Sequence, residues 1–150
     1  MSITPYKAHV SASFPWVESR EPDSPHEEGN PGGYFHLAPG EAFVGGGMWH
    51  PPKDKLAAFR RTLDADPGRV HDVIDHPSFV ATFGQINGDR LSRVPQGFDK
   101  DHPEAELLKL KDMTFGHRLA DDDVTSSRLP DVLVESFAVA IPVMRLLAQL

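Results

Sequence analysis

The chain has 150 residues, enough for one domain with a core of its own and short for two. Hydrophobic residues make up 39% and charged residues 25%, an ordinary globular balance, and no apolar run approaches the ~20 residues of a membrane-spanning helix. A formal charge of −7 disfavours non-specific nucleic-acid binding, and the absence of cysteine excludes disulfides, a thiol nucleophile and zinc–thiolate sites.

The first ten residues, MSITPYKAHV, lack a charged start followed by an apolar block, so no secretory signal is expected and the cytoplasm is the expected location. From Lys7 to Phe14 the residues alternate. Ala8, Val10, Ala12 and Phe14 fall on one face and His9, Ser11 and Ser13 on the other, which predicts a half-buried strand. Residues 18–33 are polar and rich in proline, glycine and acid, the composition of a long hairpin loop. Tyr34 to Leu37 and Glu41 onward predict two more strands around a turn at Pro39-Gly40, in an antiparallel meander.

After His50 the period becomes helical. Leu56, Phe59 and Leu63 share a face, with Pro52 in the first turn, where its missing N–H costs nothing. Asp66-Pro67-Gly68 separates this helix from a second that carries Val70, Val73 and Ile74 inward. His76-Pro77 opens a third, with Phe79, Val80 and Phe83 inward and Gly84 as its stop. Leu91 to Val94 suggests a short strand. Asp101 and Glu104 suggest a capping box opening a helix that runs to about Leu110, and Asp112 to Leu119 suggests a returning strand. A long last helix places Leu133, Phe137, Ile141, Met144 and Leu147 on one face and is expected to kink at Pro142. The predicted class is α+β: one domain over residues 1–150, a small antiparallel sheet packed by helices, with the long kinked helix at the C-terminus.

Three blocks carry a resemblance: TPYKAH from Thr4, GGYFHLAPGEAFVGGGMWHP from Gly32 and RVPQGFDKDHPEAELLKLKDM from Arg93. In order and spacing they resemble a bacterial and fungal family of conserved hypothetical proteins, domain of unknown function 2461. The resemblance implies that this chain corresponds to the C-terminal two-thirds of the family domain, without the helical segment and strand that precede the first block in longer members. It thereby implies exposed apolar surface and an unpaired sheet edge, to be covered by a second copy, a separate chain or an upstream extension. No activity comes with the family, so chemistry rests on residues.

The glycine triplet Gly45–Gly47 is followed by Met48-Trp49-His50-Pro51-Pro52, not by Lys-Ser/Thr, so a phosphate loop is not indicated. A bulge, or close packing of backbone against another element, with Trp49 covering the space the glycines leave, is one reading. An anion held by glycine amides and the helix start at Pro52 is the other. Lys7, Arg93, Lys109 and Lys111 are basic positions in an acidic chain. Lys109 and Lys111 can share a face if the helix ends at Leu110, and the four could line a pocket for phosphate or carboxylate, or stand solvated and salt-bridged. His102, in Asp-Lys-Asp-His, suits either a helix start or a proton carrier. His9 and His36 lie on neighbouring predicted strands and with Glu41 make a weak metal set; no metal site and no cofactor is expected.

The expected function is binding of a small anionic ligand in a cleft lined by Tyr6, Lys7, Trp49, Arg93, Lys109 and Lys111, the two rings giving flat contacts and the cations giving charge. One alternative is an enzyme of acid–base or phosphate-ester chemistry at that cleft, with His9 or His102 carrying the proton. The other is a non-enzymatic subunit or truncated remnant that folds with a partner. Expected partners are thus an anionic ligand and a homodimer mate or missing N-terminal segment, with neither a membrane nor non-specific nucleic acid among them.

Overall fold

Alternation sets the first strand. In a computed structural model that describes residues 9–16 and 30–150, β1 (Val10–Pro15) pairs antiparallel with β2 (Gly32–Ala38), Val10 opposite Leu37 and Phe14 opposite Gly33. The chain turns at Pro39-Gly40, where Gly40 takes φ 70°, and returns as β3 (Glu41–Met48). The last strand, β4 (Met113–Arg118), pairs antiparallel with β3, so the sheet runs β1-β2-β3-β4. The sequence pattern begins this strand over Glu41 to Val44, and the strand continues through all three glycines to Met48.

Between β3 and β4 come α1 (Lys53–Ala65), α2 (Pro67–Ile74), α3 (Pro77–Phe83) and the single turn α4 (Ala105–Leu108). Local chemistry starts each of the middle pair. Asp66 accepts the Arg69 N–H at 3.2 Å, the His76 ring accepts the Ser78 N–H at 3.2 Å, and each helix has proline at its first position. Phe59, Leu63, Val70, Phe79 and Leu108 point from these helices into one core with Met48 and Met113 of the sheet. After β4 follow the short α5 (Asp121–Val124) and α6 (Leu129–Ala148), which runs through Pro142 and packs Ala140, Val143 and Leu147 into the same core. The architecture is α+β: an antiparallel sheet with helices against it and a long helix at the end.

Three local expectations change. Residues 91–94 form no strand. Arg90 makes an isolated bridge with Leu110 instead. The predicted helix from Asp101 is one turn only, and no Asp101–Glu104 box forms: Asp99 accepts the Asp101 N–H at 2.8 Å and the His102 ring accepts the Glu104 N–H at 3.0 Å. The alternation of β1 is right, but its apolar face is largely open, with Val10 65% exposed, because β1 is the edge of the sheet. Among the described residues no helix is long and apolar enough to cross a membrane.

Candidate functional site

The glycine triplet is explained by backbone approach. A Cβ on Gly45 would lie 2.3 Å from the Phe115 carbonyl oxygen, and one on Gly47, at φ 115°, would lie 2.0 Å from that of Met113. Side chains at these positions would push β3 off β4. Their absence leaves a trough of about 720 Å³ on the sheet face, walled by Tyr34, Phe43 and Trp49. Trp49, 60% exposed, stacks on His50 with ring centroids 4.0 Å apart.

The His50 side of that ring pair faces a different space, a cleft of about 630 Å³. Helical spacing supplies one wall: Lys53, Leu56 and Arg60 of α1 stand at i, i+3 and i+7. The segments 89–91 and 109–111 supply the opposite wall. They are tied together by the Lys111 N–H on the Asp89 carbonyl at 2.7 Å and the Leu91 N–H on the Lys109 carbonyl at 2.8 Å. Leu110 turns into the core, and Lys111 lines the cleft with Asp89 and Leu91. Arg60 locks the two walls: its Nε donates to the Leu108 carbonyl at 3.0 Å and its Nη2 to that of Leu110 at 3.3 Å. Burial lowers the Arg60 pKa from its ordinary value, yet a guanidinium remains a cation at neutral pH.

Two features mark this cleft. His50 adopts φ 49°, the one non-glycine residue with positive φ among those described, and its N–H is held by Asp112 Oδ1 at 2.7 Å. Such a backbone persists only where the surroundings over-determine it. Second, the side-chain ammonium groups of Lys53 and Lys111 make no hydrogen bond or ion pair with any described residue, although Asp89 and Asp112 line the same cleft. The first-turn amides of α1 beside them have no side-chain acceptor, which adds the positive end of a helix dipole.

The residues singled out from sequence are distributed as follows. Lys111 lines the cleft, and Trp49 adjoins it through the His50 ring. Lys109 pairs instead with Glu106, three residues before it on the α4 turn, at 2.9 Å and does not line the cleft. Arg93 is exposed and does not line the cleft. Tyr6 and Lys7 lie outside the described residues. His102 is engaged on both sides of its ring: Nδ1 accepts the Glu104 N–H and Nε2 donates to Asp64 at 2.7 Å. His9 stacks on His36 at 5.3 Å on the sheet face, away from the cleft. Among the described residues no three His, Asp or Glu side chains group as metal ligands. His50, Lys53, Arg60 and Asp112 were missed. Only the i, i+3, i+7 pattern of Lys53, Leu56 and Arg60 was visible beforehand, and it reads as an ordinary amphipathic face.

On the helix side of the sheet an apolar groove of about 710 Å³ runs between Phe14 and Trp16 of the β1 region and Leu133, Phe137 and Ile141 of α6. Val134, 68% exposed, stands at its border. These α6 residues were expected to be core. They border an open groove because β1, at the sheet edge, has no further strand beside it among the described residues.

No curated protein and no solved structure matches the chain. A family model described as "Conserved hypothetical protein (DUF2461)" matches residues 2–145, and the chain therefore belongs to the DUF2461 family of conserved hypothetical proteins.

Proposed function

We propose that this protein binds a small anion, a phosphate or carboxylate group, in the cleft of His50, Lys53, Arg60 and Lys111. The observation that carries this reading is the pair of ammonium groups, Lys53 and Lys111, without partners among the described residues and facing one concave space beside the half-buried Arg60 guanidinium in a chain of net charge −7. Cations left unpaired beside available carboxylates in an acidic protein are disposed toward an external anion. The volume is that of a small-molecule site. Trp49, stacked on His50, gives the cleft a reporter. Titration with inorganic phosphate, followed by Trp49 emission against a Trp49→Phe control, tests the reading. A saturable change that weakens with added salt is expected, and no change up to high millimolar phosphate refutes it.

The apolar groove and the β1 edge, which has no neighbouring strand among the described residues, favour a second reading, in which the fold also assembles with another copy of itself. Among the described residues the groove lining carries no ionisable side chain, so no charge on it opposes pairing there.

A further inference from the structure

Asp112 is out of place in a site for a bare anion. It is 4% exposed and lines the cleft beside Lys111. Its Oδ1 accepts the His50 N–H, while Oδ2 takes no hydrogen bond from any described residue. A carboxylate only accepts hydrogen bonds, and no described side-chain oxygen is both buried and unpaired, so Oδ2 opens onto the cleft, where a ligand can reach it. It also repels an anion placed among the neighbouring lysines. Asp89, on the same lining, adds to that repulsion. A site built only to attract negative charge would be better without either.

We infer that the ligand carries a hydrogen-bond donor, a hydroxyl or an ammonium, next to its anionic group, and that Asp112 Oδ2 receives it. The inference rests on the anion-binding reading of the same cleft and narrows it to a class: hydroxylated or amino-bearing phosphate monoesters and carboxylates. The anionic end sits on Lys53, Lys111 and Arg60, and the donor end sits on Asp112. Lys53, Arg60, Lys111 and Asp112 line the same cleft, so one small molecule meets both kinds of group. A ligand of this kind turns the half-used carboxylate from a repulsive group into a selective one, because an analogue without the donor leaves Oδ2 unpaired.

A series of three compounds of similar size tests this: ethyl phosphate, 2-hydroxyethyl phosphate and 2-aminoethyl phosphate, titrated calorimetrically at pH 8, well above the second phosphate pKa of about 6. The wild type is expected to bind one or both donor-bearing compounds about tenfold or more tightly than ethyl phosphate, the usual worth of a hydrogen bond to a charged group. The stronger of the two arms identifies the donor as hydroxyl or ammonium. Asp112→Asn keeps an oxygen for the His50 N–H and removes the charge. In it ethyl phosphate binds more tightly than to wild type, while the donor-bearing compounds lose their advantage. Equal binding of all three by the wild type, or one common factor of change for all three in Asp112→Asn, overturns the inference and leaves the anion cleft standing. Failure of all three to bind removes both.

Discussion

Asp112 Oδ1 accepts the backbone N–H of His50 at 2.7 Å, across 62 residues of sequence. The contact joins the end of β3 to the start of β4 and holds His50 at φ 49°. It fixes both the ring that Trp49 stacks on and the floor of the cleft. Asp112→Ala leaves a strained backbone with an unmatched N–H and is expected to lower the unfolding free energy by about 1–3 kcal/mol. Asp112→Asn, which keeps an acceptor, falls less. Urea denaturation of the two variants checks the order, and equal losses would show that the His50 bond is not what Asp112 contributes.

The glycine positions give a second, graded expectation. Gly40 and Gly47 both have positive φ, but a Cβ at Gly40 meets nothing within 4 Å, whereas one at Gly47 meets the Met113 carbonyl oxygen at 2.0 Å. Gly40→Ala therefore costs only the backbone preference, about 1–2 kcal/mol. Gly47→Ala adds displacement of β3 from β4 and is expected to cost more than about 3 kcal/mol, or to prevent folding. Denaturation midpoints of the pair decide, and similar losses would contradict the close approach.

These residues also show what a sequence reveals. The class of the fold was legible because its signals are local: alternation at Val10, Ala12 and Phe14, helical spacing of Leu56, Phe59 and Leu63, and Asp66-Pro67 at a helix start. The triplet was legible as a bulge or close approach in the sheet, but where the strand ends was not, since glycine carries no alternation of its own. The cleft was mostly illegible. Lys111 is legible as a basic position in an acidic chain. Its companions lie on α1 and the 50–51 link, and what brings them together is Arg60 reaching the carbonyls of residues 108 and 110, a contact with no local pattern. The apparent companions, Arg93 and Lys109, are near in sequence but turn elsewhere.

His71 predicts a pH dependence. Its Nδ1 meets Asp75 at 2.7 Å and its Nε2 meets Glu104 at 2.9 Å, so only the doubly protonated ring donates to both. Hydrogen bonds to Glu104 first and Asp75 second raise its pKa above the ordinary 6.5. A raised value in the folded state means that the stabilisation is complete below about pH 6.5 and is lost as pH rises through the folded pKa. Wild-type unfolding free energy is therefore expected to decline over that interval more than that of His71→Gln. The difference is modest because the side chain is 35% exposed and solvent screens the pair. Parallel pH profiles would contradict the clamp between α2 and α4.

The β1 edge gives a prediction about assembly. If a second copy covers the groove, light scattering shows a mass that rises with concentration toward a dimer, and Phe14→Glu or Val134→Glu, placing charge on the groove, abolishes the rise. A concentration-independent monomer in the wild type would remove the second reading without touching the cleft.

The most direct test of the cleft is calorimetric titration of inorganic phosphate into the wild type and into a Lys53→Ala, Lys111→Ala double variant whose denaturation midpoint has been checked. Both ammonium groups are without partners among the described residues, and alanine keeps the Lys111 backbone bond to Asp89, so their removal spares the fold. The account predicts saturable binding by the wild type and at least a tenfold loss in the double variant. No binding, or binding equally strong without the two lysines, would contradict it.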